Sequence, residues 1–470
     1  MNKINFYIFT IIVLSVFNSA AQDTLKTLNS EQVLQIVRLF HPLAKQANIG
    51  VEKAKAEQTS VRGLFDPIIS NYLTKKTFDG TNYYTYNATE IKIPTWYGIE
   101  LYSGLENLNG SRFDPTETAG KTSYWGVNFS LAKNLLLDKR RAALQQSKLF
   151  INMAVIEQKA IINDLLMEAI ESYWNWVKSY QTYKVVSNNV AICEQRLEYI
   201  KKSFIHGDRP AIDTMEALTQ LQSFQYQKNS NWLEFLNAGL KLSVYLWKQN
   251  YEPYILPETI IPFDGWENET NMSNFNISLN DLIYLSNSNN PNLLIYPYKL
   301  GILNIEKKLK FQDLLPKIDL RFNQLSKGYG LPGQFNASYL LENNYQYGLR
   351  MEMPLRLSLG RGGYKLAKLK IENTKLEQNQ KNLQIELKIK SYFNEYIYLK
   401  NQIELQNNNY NNYRTLVKAE ESKLFQGESS LFIVNGRENK ALDALEKLIE
   451  LKTKYYKNLY AMQWSAGLLK

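Results

Sequence analysis

Apolar residues recur at every seventh position along two long stretches of the chain. Val155, Ile162, Ala169, Trp176, Tyr183, Val190, Leu197 and Phe204 make the first series, and Ile389, Tyr396, Ile403, Tyr410, Val417 and Leu424 the second. A strict seven-residue repeat keeps one seam against a neighbouring helix and imposes a left-handed supercoil. Each series stops three residues before a glycine, Gly207 and Gly427. With those glycines aligned, Phe204 falls on Leu424, Leu197 on Val417, and so on back to Ala169 on Ile389. The stripe is packing, and its length is the constraint. Helices of roughly 60–70 residues would run about 90–105 Å at 1.5 Å per residue. A single-chain core of that length would be a rod, so the walls of a hollow coiled-coil cylinder are the better solution.

The rest of the chain repeats in the same register. Helical pattern covers about 30–63, strand-like text about 66–132, a long helix about 138–205, and a further helix runs to about 248. The order then restarts with a helix over 279–313, strands within 317–358, a long helix over 364–425 and a last helix over 431–468. His41-Pro42 and Asn290-Pro291 hold matching positions, and Pro67 and Pro316 follow those prolines by the same 25 residues, marking the switch from helix to strand. Tyr124-Trp125-Gly126-Val127-Asn128-Phe129 parallels Gln346-Tyr347-Gly348-Leu349-Arg350-Met351. The expected division is a signal peptide over 1–21, a first repeat over 22–251, a Pro/Asn-rich linker over 252–277 and a second repeat over 278–470. The fold class is mainly α with β: long antiparallel coiled-coil helices and a few strands.

Lys3 precedes a mostly apolar stretch from Ile4 to Phe17, followed by Ser19, Ala20, Ala21 and Gln22. This is the pattern of a secretory signal peptide cleaved after Ala21. After residue 22 nothing approaches the ~20 apolar residues of a membrane-spanning helix. A mature chain that enters a membrane must therefore do so as strands closed into a barrel. The stretches 67–78, 123–131, 317–326 and 345–357 alternate as such strands do, with Tyr72, Tyr124 and Trp125 as interface aromatics. Four strands per chain close nothing, because the smallest bacterial barrels have eight. Several chains must then share one barrel, and three would give twelve strands. Residues 81–106 read either as a further hairpin or as an extracellular loop, and the sequence admits both.

Composition excludes other classes. One cysteine (Cys193) and two histidines (His41, His206) leave no internal disulfide and too few ligands for a Cys/His zinc site. The net charge of +10 comes from interleaved lysines, arginines and acids with no run of five like charges, which reads as a solvated helix surface rather than a nucleic-acid face. No His-Glu-x-x-His, Walker loop or Gly-x-Ser-x-Gly occurs, so no catalytic residue, metal or cofactor is assigned. Gly360-Arg361-Gly362-Gly363 reads as a bend between strand and helix. Asp138-Lys139-Arg140-Arg141 opens the first long helix with cations at the unfavourable end of its dipole, where anionic lipid headgroups would compensate.

With these features together, the sequence resembles the TolC-type outer membrane efflux proteins over nearly the whole mature chain. The two turns carry the likeness: Phe204-Ile-His-Gly207-Asp208-Arg209-Pro-Ala-Ile-Asp213, and Leu424-Phe-Gln-Gly427-Glu428-Ser429-Ser430 running on to Asn435-Gly-Arg437-Glu438. Both are similar to that family's helix-hairpin tip, where glycine supplies the left-handed residue that ends a helix. Ser429 or Ser430 is the expected N-cap of the helix that follows. The resemblance implies a homotrimer with a twelve-stranded barrel in the outer membrane lipid and a helical tunnel in the periplasm. It implies a passive efflux or type I secretion conduit, fed by an inner-membrane RND or ABC transporter through a periplasmic adaptor (membrane fusion) protein. Gly207, Asp208, Arg209, Gly427, Glu428, Ser429 and Ser430 would form the docking tip, and Asp213 and Arg437 the gate. Ile433 stands where the second tip would need the counterpart of Asp213. The competing readings are a trimeric coiled-coil structural or adhesive protein, and a stand-alone porin needing eight strands in one chain.

Overall fold

The computed structural model describes residues 27–111, 118–268, 278–329 and 343–469. The signal peptide at 1–21 and the end of the linker at 269–277 lie outside them. The chain opens with β1 (Thr27–Leu28), α1 (Ser30–Phe40) and α2 (Pro42–Arg62). Four strands follow: β2 (Ile68–Phe78), β3 (Thr81–Pro94), β4 (Ile99–Gly110) and β5 (Gly120–Ser130). Then come α3 (Lys139–Ile205), α4 (Ala211–Ser243) and β6 (Ile261–Pro262). The second half holds α5 (Leu279–Asn289), α6 (Pro291–Gln312), β7 (Lys317–Lys327), β8 (Tyr345–Glu352), α7 (Ser358–Phe425) and α8 (Leu431–Ser465).

The duplication is visible helix by helix. Lengths of 11, 21, 67 and 33 residues in the first half meet 11, 22, 68 and 35 in the second. The helices read as continuous over 30–63 and 279–313 are each two. Proline drives the residue before it out of the helical region, and His41 (ψ 131°) and Asn290 (ψ 116°) are extended. Pro42 and Pro291 then start the next helix, where a missing N–H costs nothing. Both halves begin on a side-chain cap. Asn29 accepts from the Gln32 N–H at 2.8 Å while the Gln32 side chain accepts from the Asn29 N–H at 3.1 Å, and the Ser278 hydroxyl accepts from the Asp281 N–H at 3.2 Å.

The chain forms two compact units, each built from segments of both halves. The first comprises residues up to 47, 159–290 and from 384 onward. Its core is aromatic: Tyr173, Trp174 and Trp176 of α3 are fully buried, and Trp174 stacks on Tyr456 of α8 with ring centroids 4.6 Å apart. The linker is part of this core. Its Trp266 is buried edge-on to Trp174, the Tyr456 hydroxyl donates to the Glu267 carbonyl at 2.6 Å, and β6 pairs in parallel with β1. Of the seven-residue seam, Ala169, Trp176, Val190, Leu197, Ile389 and Leu424 are buried, while Phe204 is exposed.

The second unit, 48–158 and 291–383, holds one six-stranded sheet in the order β2-β3-β4-β5-β7-β8. Every pairing in it is antiparallel. Residues 81–106 therefore form a hairpin of two strands, and the described residues give the sheet six strands rather than four. Gly360 to Gly363 lie inside the first turns of α7 rather than in a bend before it. A Cβ on Gly360 would stand 2.5 Å from the Asp313 carbonyl, so close helix approach explains the glycine there. Two of the three cations opening α3, Arg140 and Arg141, are paired within the protein rather than left for lipid. Asp138 accepts from the Arg141 N–H (2.8 Å) and its guanidinium (3.2 Å), and Arg140 pairs with Glu100 at 2.6 Å.

Trp174→Ala removes one of the buried tryptophans of the first unit's core. It should destabilise the protein by about 3–5 kcal/mol, as large-to-small aromatic deletions do, measured by urea unfolding followed by circular dichroism.

Candidate functional site

The sheet has two chemically distinct faces. Side chains alternate along a strand, and the register places Glu90 and Lys92 of β3, Glu100, Tyr102 and Glu106 of β4, Tyr124 and Asn128 of β5, and Arg321 and Asn323 of β7 on one of them. These groups satisfy each other. Tyr124 donates to Glu90 at 2.6 Å, Tyr86 donates to Glu106 at 3.0 Å, Lys92 pairs with Glu100 at 3.1 Å and Arg321 with Glu90 at 3.4 Å. A hollow of about 460 Å³ opens on this face, lined in part by Tyr86, Glu106, Tyr124, Arg321 and Asn323. The other face carries Ile69, Leu73, Ile91, Ile93, Leu101, Leu105, Trp125, Leu349 and Met351, all of them solvent-exposed in one copy. Polar inside and apolar outside with period two is the signature of a transmembrane barrel wall around an aqueous lumen. Among the described residues no helix is long and apolar enough to cross a membrane.

The two helix turns, both in the first unit, are built alike. After α3, Gly207 takes φ +79°, its N–H donates to the Phe204 carbonyl (3.0 Å) and the Asp208 N–H to the Ser203 carbonyl (2.9 Å). After α7, Gly427 takes φ +78°, its N–H donates to the Leu424 carbonyl (3.2 Å) and the Glu428 N–H to the Lys423 carbonyl (2.9 Å). Each is a Schellman motif, which satisfies carbonyls that a helix end leaves open. Beneath them a buried apolar cluster joins all four helices through Val190, Leu197, Leu221, Phe224, Leu424 and Leu431.

Arg209 ties one turn to the other. Its guanidinium donates to the Leu424 carbonyl at the end of α7 and to Asp213 at 3.3 Å, and both charged side chains are largely buried. A cation at a helix C-terminus is favourable, as is Asp213 in the first turn of α4. Asp213 is thus neutralised within its own chain. Ser430 occupies the N-cap of α8 but its side chain makes no capping bond, and Ser429 instead donates to Glu420 at 2.6 Å. Among the described residues Arg437 forms no ion pair, and the charge that does is its neighbour. Glu438 receives a two-pronged contact from Arg196, one prong at 2.5 Å, and Arg196 also reaches Glu421 at 3.1 Å. The sequence carried a signal for Arg196: it lies three residues after Cys193 and four before Ile200, both core residues, so its side chain shares their face.

Two outcomes follow from this geometry. Burial, then the nearby Glu438 charge, pushes the Cys193 thiol up to about 11. Only the thiolate is nucleophilic, so Cys193 should resist iodoacetamide at pH 8 in the folded protein and react once it is unfolded in guanidinium. Arg196→Met strands Glu438 and should cost about 3–5 kcal/mol, whereas adding Glu438→Leu to it should recover most of the loss; urea midpoints of the three proteins measure this.

No protein-family model matches the sequence, and no characterised protein matches it by sequence. Solved structures do match. The chain is similar to the Campylobacter jejuni CmeC outer membrane channel at 14% identity over 93% of this chain and 85% of that one, with a TM-score of 0.63. It is similar to the outer membrane protein VceC of Vibrio cholerae at 12% identity over 93% and 96%, TM-score 0.64. The Neisseria gonorrhoeae MtrE outer membrane channel, solved in its open state, aligns at 11% identity over 94% and 89%, TM-score 0.65. At these identities the likeness is one of fold. The chain has the fold of the TolC-type outer membrane efflux proteins.

Proposed function

We propose that this chain is the outer-membrane subunit of a passive export conduit. Three copies share one barrel in the outer membrane, and their helices form a periplasmic tunnel closed at the paired turns. Cargo arrives from an inner-membrane RND or ABC transporter through an adaptor protein, and no chemistry is done on it. The observation that carries this reading is the sheet, polar on one face, apolar on the other, and ending in edge strands on both sides. Such a sheet is stable in lipid only when further strands complete it. The helices support the same reading. Leu369, Leu376, Leu383, Leu387, Tyr398 and Leu405 leave an apolar stripe exposed along α7, spaced for a coiled-coil neighbour.

In this conduit the turns around Gly207–Arg209 and Gly427–Ser430 dock the adaptor. The Arg209 contacts to Leu424 and Asp213 hold the two turns of a copy together in the closed state, and adaptor docking releases them. Arg437, unpaired in one copy, faces the same end and is available to a neighbouring copy or the adaptor.

Proline cannot adopt the positive φ of either glycine, since its ring fixes φ near −65°. Gly207→Pro and Gly427→Pro should therefore abolish export and leave outer-membrane assembly intact. Cell fractionation reads assembly, and ethidium accumulation in cells holding the native pump and adaptor reads export. Normal efflux by either variant would remove that turn from the docking tip. Recovery of the wild-type protein in the soluble periplasm would overturn the membrane reading itself.

A further inference from the structure

The strand count departs from the twelve-stranded barrel that the sequence resemblance implies, and the ladder register says how the sheet closes. We propose that three copies build one eighteen-stranded barrel, with β8 of each copy paired to β2 of the next and Gly348 opposite Tyr72 across the seam. This rests on the outer-membrane trimer proposed above and adds to it the width of the wall and the register of the joint.

Direction is the first requirement. Strands in the sheet alternate, and six is an even number. β8 therefore runs opposite to β2, and β2 of a second copy joins it as another antiparallel pair. Each edge presents a row of backbone groups that the sheet itself leaves open, and lipid offers no partner for them.

Stagger is the second. Gly348 faces Arg321, Arg321 faces Asn128, Asn128 faces Glu100, and Glu100 faces Pro94. Pro94 lies one pair of alternations beyond Lys92, which faces Ile68. Gly348 is thus level, across its own sheet, with position 66. The helix-side strand ends drift in the same sense. Carried along the ladder onto β2 numbering, the ends at Ile68, Pro94, Ile99, Ser130, Lys317 and Glu352 fall at 68, 66, 65, 64, 62 and 62. The drift is six residues in one copy, about one per strand. With 3.3 Å per residue and 4.8 Å between strands, that stagger tilts the strands roughly 35–40°, inside the range of closed membrane barrels. Tilted so, all six helix-side ends stand at one level, as a membrane surface requires.

Threefold symmetry brings the next copy's β2 back to that level, six residues further along the ladder. Gly348 then meets Tyr72 instead of position 66, and β8 lies wholly against residues 68–75 of the neighbour. On the apolar face Met351 meets Ile69 and Tyr347 meets Leu73. On the polar face Arg350 meets Ser70 and Gln346 meets Thr74. The central pair has a precedent within the sheet. Tyr124 stands opposite Gly104, its ring 2.5 Å from where a Cβ would be. Nothing lies within 4 Å of the same point on Gly348, and Tyr72 is 62% exposed at the other edge. An aromatic covering a glycine pins register in antiparallel sheets. Eighteen strands at this tilt give a backbone radius of about 18 Å, against about 12 Å for twelve, which leaves a water-filled lumen.

The test uses the full chain in isolated outer membranes. Leu73→Cys combined with Tyr347→Cys, oxidised with copper phenanthroline, should give a covalent ladder that stops at three chains, and neither single variant should form it. Native Cys193 is buried and does not compete. A ladder from Lys75→Cys with Tyr347→Cys in its place would overturn the six-residue stagger. Imaging the wild-type assembly in lipid nanodiscs counts the wall directly. Eighteen strands are expected. Twelve strands, with β3 and β4 outside the wall, would overturn this proposal and leave the conduit reading standing, whereas a protein that never inserts would overturn both.

Discussion

A backbone amide without a partner is tolerable in water and costs several kcal/mol in hydrocarbon. The rest of this chain's organisation is subordinate to that asymmetry. Its sheet satisfies four strands on both sides and β2 and β8 on one side only. The side chains do not demand the same completion. Glu90, Glu100 and Glu106 already have tyrosine, lysine or arginine partners within the sheet. In the proposed barrel, the polar face is therefore a finished lumen surface in one copy, while the wall is unfinished.

The two long helices divide the same problem differently. α3 keeps its seven-residue seam inside its own copy, with Ala169, Trp176 and Val190 buried under aromatic neighbours. α7 buries Ile389, Leu399 and Leu424 but exposes a second stripe of leucines. Helices in water form their backbone bonds internally, so the cost of remaining single is only exposed apolar area, roughly 25 cal/mol per Å². The helical walls can then separate and re-pack at moderate cost, and the strand wall cannot. In the proposed conduit, motion therefore belongs to the helices rather than to the strands. The contacts that hold the helix turns include the Arg209 bridge, the buried Arg196–Glu438 pair, the Tyr199–Phe425 ring contact and one apolar cluster.

What the sequence made legible was local. The positive-φ glycines, the prolines that mark the switch from helix to strand and most of the seven-residue seams are each set by neighbours a few positions away and appear where the text places them, whereas the helical pattern runs through the breaks before Pro42 and Pro291. The β3–β4 hairpin was not legible, because its outward face mixes Ile91, Ile93, Leu101 and Leu105 with Asn87, Thr89 and Asn107. That mixture makes strand and loop look alike. The tip chemistry was legible in kind and not in partner. Arg209 reaches a carbonyl 215 positions away, and Arg196 a carboxylate 242 away. No spacing rule connects such residues. Ser430 holds the expected N-cap position, but its hydroxyl makes no capping bond.

Among the described residues the two halves match in their four helices and differ in the strands they give to the large sheet, four against two. The difference has a simple allowed form. Inserting one hairpin adds an ascending and a descending strand, so the last strand still enters α3 in the original direction. A single added strand would reverse the helix that follows and destroy the repeat. The hairpin also keeps the stagger near one residue per strand, so the wall gains circumference without changing its tilt or the level of its ends. Barrel width is thus free to vary in a fold whose helices are fixed by their seams. At the junction of the two halves, where β5 pairs with β7, Gly126 bears close cross-strand contact. There a Cβ would collide with the Asn323 side chain and the Phe322 carbonyl, so at this junction the two halves are packed too tightly to slip.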